Sequence, residues 1–187
     1  ENEILLYTQQ NGVAILTLNR PKSYNALSAA LSKSIVKNIQ KAEADDTVKV
    51  IVLTGNGKAF CAGVDLKELT TSADNLTDDT ALINIFRNRK KPMIGAINGF
   101  CITGGLELAL NCDLLYASEN AVFADTHPKV GLMPTWGMSQ KLPRLIGYSR
   151  AKEMSLSGRK INSATALAWG LVNRVFPADQ LLPEALK

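Results

Sequence analysis

Two stretches of this chain combine residue types that can do chemistry together. The first is Lys58-Ala59-Phe60-Cys61-Ala62-Gly63-Val64-Asp65-Leu66, where an apolar segment feeds a small-residue loop and then a helix begun by Asp65. The glycine allows backbone to approach a ligand closely. The amides of Val64 and Asp65 would point out of a helix N-terminus, where negative charge is favoured. The second stretch, Asn98 to Leu110, repeats the plan with Gly104-Gly105 at the helix start. Two such starts can put two N–H donors around one oxygen, as in an oxyanion hole. Glu107 follows Gly104 by three residues, one helical turn, so its carboxylate shares a face with the Gly104 amide. Its neighbours Leu106, Leu108, Ala109 and Leu110 are apolar. A carboxylate there is either a satisfied structural acid or a general acid/base with a raised pKa. The paired donors one turn away favour the second reading.

Other reactive residues point to little. Cys61, Cys101 and Cys112 are an odd set at wide spacing, which suggests reduced thiols inside a cell and small core residues rather than a disulfide framework or a nucleophile. His127 is the single histidine, and without paired Cys or His spacing no metal site is expected. No Gly-x-Ser-x-Gly elbow occurs, and Gly55-Asn56-Gly57 does not continue into a nucleotide-binding fingerprint.

Composition bounds what carries these stretches. At 187 residues the chain suits a single domain over 1–187, at roughly 150 residues per domain. With 46% hydrophobic and 20% charged residues it is too apolar for a disordered chain. No apolar run approaches the roughly 20 residues that span a bilayer, and no signal peptide is recognisable, so no membrane partner is expected. The net charge of +4 is scattered apart from Arg87 to Lys91, so nucleic acid is a weak proposal while an anionic small molecule stays open. The chain starts at Glu1 and stops at Lys187 just after a helix-like Pro183-Glu184-Ala185-Leu186, which suggests a fragment or a trimmed chain.

The elements that must position the two stretches follow from periodicity. Residues 3–10 and 12–19 read as strands joined at Asn11-Gly12, a strong hairpin signal. Ser28 caps a helix with Leu27, Leu31, Ile35, Ile39 and Ala42 on one stripe. Val48 to Leu53 and Met93 to Ile97 read as buried parallel strands, with 55–63 as a loop and about 77–91 as a helix. Leu106 to Asn111 reads as a short helix. Residues 113–117, 121–124 and 172–176 read as strands, and about 135–168 as helix broken at Pro143, Gly147 and Gly158. Strands alternating with helices imply an α/β protein with a mostly parallel sheet.

Taken together and in order, these motifs resemble the crotonase superfamily, and the enoyl-CoA hydratase/isomerase family in particular. The resemblance covers nearly the whole chain. It rests on Leu18-Asn19-Arg20-Pro21 with Asn25-Ala26-Leu27, the two glycine stretches, Cys112-Asp113, Phe123-Ala124, Val130-Gly131-Leu132-Met133-Pro134 and Gly170-Leu171-Val172. It implies a crotonase-like spiral of ββα units, with a C-terminal helical segment missing or only begun at Leu181 to Lys187. It also implies an acyl-CoA thioester as ligand, with coenzyme A part of the substrate and no separate cofactor. Val64 and Gly104 would supply the oxyanion-hole amides. Ser23, Ala26, Ala62, Asp65, Leu66 and Lys67 would line the coenzyme A path, with Lys22 and Lys67 near the phosphates.

One departure stands out against the family pattern. Such hydratases commonly carry two glutamates facing one water; Glu107 matches the first, and His127 falls where the second is expected. The segment Ala124-Asp125-Thr126-His127-Pro128 with Pro134-Thr135-Trp136-Gly137 resembles that of a subset of bacterial and plant hydratase-like sequences. His127 either takes the place of the second acid or packs in the loop before Pro128, leaving Glu107 as both base and acid. Asp125 reads as a loop hydrogen-bonder. The resemblance implies an enoyl-CoA hydratase of fatty-acid β-oxidation, with an enoyl-CoA isomerase as the alternative and a non-catalytic acyl-CoA-binding protein the weakest reading. It further implies a homotrimer or dimer of trimers. The reduced thiols point to a location inside the cell, the cytoplasm first, with mitochondrial or peroxisomal ones open. Acyl chain length would depend on the loop after Leu69 and on Trp136.

Overall fold

The hairpin signal is the first to take shape. Strands β1 (Leu5–Gln10) and β2 (Val13–Leu18) pair antiparallel, from Leu5 opposite Leu18 to Gln10 opposite Val13. Asn11 (φ 49°) and Gly12 (φ 79°) both take the left-handed conformation that a tight two-residue hairpin turn requires. The structure is a computed structural model that describes residues 3–71 and 80–187.

Helix α1 (Ala29–Ala44) starts where the Ser28 hydroxyl accepts the Leu31 amide at 3.1 Å, and it buries Leu31, Ile35, Ile39 and Ala42. It carries the chain back so that β3 (Val50–Gly55) lies parallel to β2. β5 (Met93–Ile97), β7 (Leu114–Ser118) and β10 (Arg174–Phe176) add in parallel, giving a six-stranded sheet in the order β1-β2-β3-β5-β7-β10.

A second sheet runs beside the first. It is built from four three-residue strands, β4 (Ala59–Cys61), β6 (Phe100–Ile102), β8 (Val122–Ala124) and β9 (Lys160–Asn162), in the order β4-β6-β8-β9. From β3 onward, three turns of the chain each give one strand to the large sheet and the next to the small one, and the first two then run into helix: α2 (Leu66–Thr71) and α3 (Thr80–Asn88), then α4 (Gly104–Leu110); the last pair reverses the order, with β9 in the small sheet before β10 in the large. This is the spiral of ββα units that the family resemblance implied. The middle residues Phe60, Cys101 and Phe123 of the first three short strands are fully buried.

Two expectations need correcting here. The segment 55–63 is not only a loop, since it contains strand β4, and β6 likewise lies within the glycine stretch that follows Asn98. Three-residue strands are too short to show a period, so local pattern misses them. Within 135–168, Pro143 does not break the helix: α5 (Met138–Ile146) runs through it. Met138, Leu142 and Ile146, four residues apart, are buried along one stripe, and that burial outweighs the proline's local preference. α6 (Tyr148–Ser157) follows, then β9, which that reading also missed, and α7 (Ser163–Trp169). Of the helix expected over about 77–91, residues 77–79 lie outside the described residues, as does most of the loop after Leu69.

The main core lies between α1, α3, the two sheets and the helices α4 to α7. The other face of the large sheet is covered by α8 (Leu181–Ala185), whose Leu181 and Ala185 pack with Val52 and Ala96. The helix-like stretch at 183–186 thus belongs to a short helix seated on the sheet. α4 is buried at all seven positions, Glu107 among them.

Candidate active site

The expected site residues fall into two groups. The segments around 20–27 and 62–67 are zipped together. Ala62 N donates to Tyr24 O at 3.0 Å, Leu27 N to Gly63 O at 2.8 Å, and Asp65 N to Leu27 O at 2.9 Å. Arg20 ties them further, with its guanidinium on the Ala26 carbonyl and 3.0 Å from the Asp65 carboxylate. Asp65 Oδ1 also accepts the Lys67 amide at 3.2 Å. Asp65 is therefore a structural cross-link. Ser23, Ala62, Leu66 and Lys67 are exposed beside it, Ala26 is half-buried, and Lys22 is exposed nearby. Asn25, fully buried, bonds the Arg20 amide and the carbonyls of Asn56 and Ala59, which holds this arm against β4.

That zipper aims one amide. Val64 forms a parallel bridge with Leu27 in which only its neighbours, Gly63 O and Asp65 N, make the hydrogen bonds. The N–H of Val64 is therefore turned away from Leu27. Gly104 is the first residue of α4, so its amide has no acceptor within the helix. Neither amide bonds to another described residue. The two turns are in contact: a methyl on Gly104 would sit 3.5 Å from Val64 N and from the Trp136 ring, and one on Gly63 would sit 3.3 Å from Gly104 N.

Thr103, just before Gly104, holds an unusual conformation (φ 55°, ψ −115°). Its amide donates to Ala124 O at 2.8 Å, and its hydroxyl accepts the Thr126 amide at 3.1 Å and pairs with the Thr126 hydroxyl. Sequence reading passed over this residue, since nothing local marks a threonine as strained.

Glu107 is 2% exposed. Its Oε1 accepts the amides of Trp136 at 2.8 Å and Met138 at 3.2 Å, from the loop that starts α5. Asn111, one turn along α4, donates to the carbonyls of Glu107 at 2.8 Å and Trp136 at 3.2 Å, which closes that loop on the helix. The other oxygen, Oε2, faces His127 Nε2 at 3.6 Å. Burial raises the Glu107 pKa; the Met138 and Trp136 amides and His127 pull it down without cancelling the rise.

His127 opens a single 3-10 turn, His127–Val130, at 6% exposure. Its Nδ1 lies 2.7 Å from Asp125 Oδ1. The imidazole is therefore part of the site and not only loop packing. Asp125 is the loop hydrogen-bonder expected, since its Oδ1 accepts the His127 amide at 3.2 Å, but the same oxygen also meets the ring. The cysteines are core: burial pushes the Cys61 and Cys112 thiols up to about 12 and Cys101 well above its usual value, so none is a ready thiolate. Among the described residues no three His, Cys, Asp or Glu side chains are arranged so that they could hold a metal ion, and no helix is long and apolar enough to cross a membrane.

Chemically, two free amides converge beside a buried carboxyl that confronts an imidazole. Charge developing on an oxygen could be held by the amides while the pair moves a proton.

The spiral of two sheets is the crotonase fold, shared with solved enoyl-CoA hydratases. That from Mycobacterium tuberculosis H37Rv is 50% identical, with a TM-score of 0.90 over 98% of this chain and 79% of its own. An enoyl-CoA hydratase subunit from Geobacillus kaustophilus HTA426 is 37% identical, with a TM-score of 0.92 over 98% of this chain and 73% of its own. A relative from Arabidopsis thaliana named "Probable enoyl-CoA hydratase 1, peroxisomal" is 42% identical over 187 residues, 99% of this chain and 71% of that one. The family model for enoyl-CoA hydratase/isomerase matches residues 8–187, and the chain belongs to that family.

Proposed function

We propose that this protein is an enoyl-CoA hydratase, adding water across the 2,3-double bond of an enoyl-CoA to give a 3-hydroxyacyl-CoA. The observation that carries this reading is the buried Glu107 Oε2 facing His127 Nε2 at 3.6 Å, one helical turn from the Gly104 amide. Relatives named as enoyl-CoA hydratases over nearly the whole chain support it.

In this reading the thioester oxygen sits between the amides of Val64 and Gly104. The Glu107–His127 pair takes a proton from water, and the hydroxide adds to C3. The electron pair of the double bond moves onto the thioester as an enolate, held by the two amides. A proton from the same pair then goes to C2, so water is consumed and the pair regains its starting charge. One amide donor of this kind is worth roughly 2.7–4 kcal/mol in comparable sites.

Ser23 to Ala26 and Ala62 to Lys67 line the coenzyme A path, with Lys22 and Lys67 supplying positive charge towards its phosphates. Coenzyme A belongs to the substrate, and the chemistry needs no other cofactor. Assembly as a homotrimer or a dimer of trimers is part of the same proposal, as is a role in fatty-acid β-oxidation. Thioester substrate and unpaired cysteines both suit the reducing interior of a cell, with the cytoplasm as the proposed compartment.

The test is a panel of 2-enoyl-CoA thioesters of different lengths, followed by loss of the conjugated enoyl absorbance. Crotonyl-CoA should be hydrated, and Glu107→Gln should lower kcat by about 10³-fold. A variant that works at the parental rate would sink the role given to Glu107. Conversion of 3-enoyl to 2-enoyl thioesters without hydrated product would favour an isomerase, and tight binding without turnover a binding protein.

A further inference from the structure

We propose that Asp125 is a positioning residue that fixes the protonation of His127, so that Glu107 and His127 hold one mobile proton between them. The proposal rests on the hydratase reading only for its rate measurement.

Asp125 is 1% exposed, and its Oδ1 lies 3.2 Å from the His127 amide, which donates to it, and 2.7 Å from the His127 ring nitrogen Nδ1, with Ser155 of α6 as a further side-chain partner. Burial pushes its carboxyl up, but the bonds from His127 and Ser155 outweigh this and hold it below its ordinary value. An ionised carboxylate has no proton to offer. At 2.7 Å from Nδ1, the hydrogen in that contact must therefore belong to the imidazole. This determines the rest of the ring, because Nε2 is then the nitrogen with a variable proton, and it is the one turned to Glu107 Oε2.

Glu107 is restricted in a complementary way. Its Oε1 is taken by two backbone amides, which leaves Oε2 as the oxygen able to carry a proton. Neutral Glu107 beside neutral His127, and ionised Glu107 beside imidazolium, differ only in which side of the 3.6 Å gap holds that proton. The crossing leaves the total charge of the pair unchanged but separates it into carboxylate and imidazolium, and the ionised Asp125 beside Nδ1 offsets the positive charge that then sits on the ring. Water can thus lose a proton to one partner while the other returns one to C2. A lone glutamate would have to do both in turn.

Three successive residues divide the work. Asp125 orients the ring, His127 faces Glu107, and Thr126 between them grips the Thr103 hydroxyl at the oxyanion turn.

His127 is the only histidine in the chain, so a ¹⁵N-labelled sample shows one imidazole and its tautomer can be read without assignment. In the unmodified protein the neutral ring should carry its proton on Nδ1; a neutral ring protonated on Nε2 would overturn the proposal with no variant needed. Asp125→Asn should populate the Nε2–H tautomer and lower kcat for crotonyl-CoA by about 10²-fold, with KM changed by less than about 3-fold. Unchanged kcat in this variant, or a loss of kcat with the tautomer unchanged, would also overturn it. Ser155→Ala, which removes a donor to the same carboxylate but leaves the ring contact, should cost only about 3-fold in kcat if the ring is what Asp125 serves. If no enoyl-CoA is hydrated by the unmodified protein the functional reading falls, while the tautomer measurement still decides the role of Asp125.

Discussion

Two turns each deliver one backbone amide to the same small volume, and they are built from opposite materials. At the first, Gly63 takes φ 98°, a conformation open to glycine without strain, and Val64 is aimed by a bridge to Leu27. At the second, the residue at positive φ is Thr103, β-branched and strained by an amount on the order of 1–3 kcal/mol. Its hydroxyl explains why a threonine stands there, because it accepts the Thr126 amide and so fastens the Gly104 turn to the loop carrying Asp125 and His127. A glycine would make the turn more easily and leave that loop unfastened. One turn only presents a donor; the other also ties its donor to the loop whose His127 faces Glu107.

The contrast can be tested by substitution, and the largest effect is expected at Gly104. In Gly104→Ala the new methyl meets Gly63 Cα, Val64 N and the Trp136 ring at 3.5 Å, ordinary contacts that let the chain fold. It would occupy the space between the two amides, so kcat should fall roughly 10²–10³-fold with the thermal midpoint little changed. Unaltered turnover would show that the two amides do not act on one oxygen.

Gly63→Ala should behave differently. It forces an L side chain into φ 98° with its Cβ 3.2 Å from the Ile102 carbonyl, so unfolding in urea should show a loss of about 1–3 kcal/mol. Thr103→Gly should change stability by less than about 1 kcal/mol, because relief of strain offsets the lost hydroxyl bonds. It should still lose about 10-fold in kcat, which Thr103→Ser restores by returning the hydroxyl. A Thr103→Gly enzyme at full rate would reduce the second turn to the same passive role as the first.

The smallest effect is a slope with pH. Burial lifts the Glu107 carboxyl above its ordinary value near 4.5, so between that value and its raised one the folded protein holds a proton that the unfolded chain has released. Stability then falls as pH rises through this interval. Glu107→Gln has no such proton, and its unfolding free energy should gain on the parent with rising pH across the interval, then level off. Parallel curves in urea titrations would show that Glu107 titrates normally.

Much of the scaffold was legible. Helix α1, the hairpin and the long strands announced themselves because each has a buried face that repeats at its own period. The two glycine turns were legible for a related reason: close backbone approach demands small residues at adjacent positions, and Ala62-Gly63 and Gly104-Gly105 supply them. The small sheet was not, because three residues carry no period. Proline at 143 misled, since burial of Met138, Leu142 and Ile146 decides that helix.

The site divides in the same way. Sequence alone determined which residues could react, since only Glu107 combines a carboxylate with an apolar helix beside a glycine turn, and it determined the α/β plan that brings strands to helix starts. Only the tertiary structure decided how Glu107 and His127 meet. They lie twenty positions apart, and their separation, the amides of Trp136 and Met138 on Glu107, and Asp125 at the ring's Nδ1 all come from segments that only the fold brings together. A residue's chemistry is local to its side chain, whereas its protonation and aim belong to neighbours brought there by the fold.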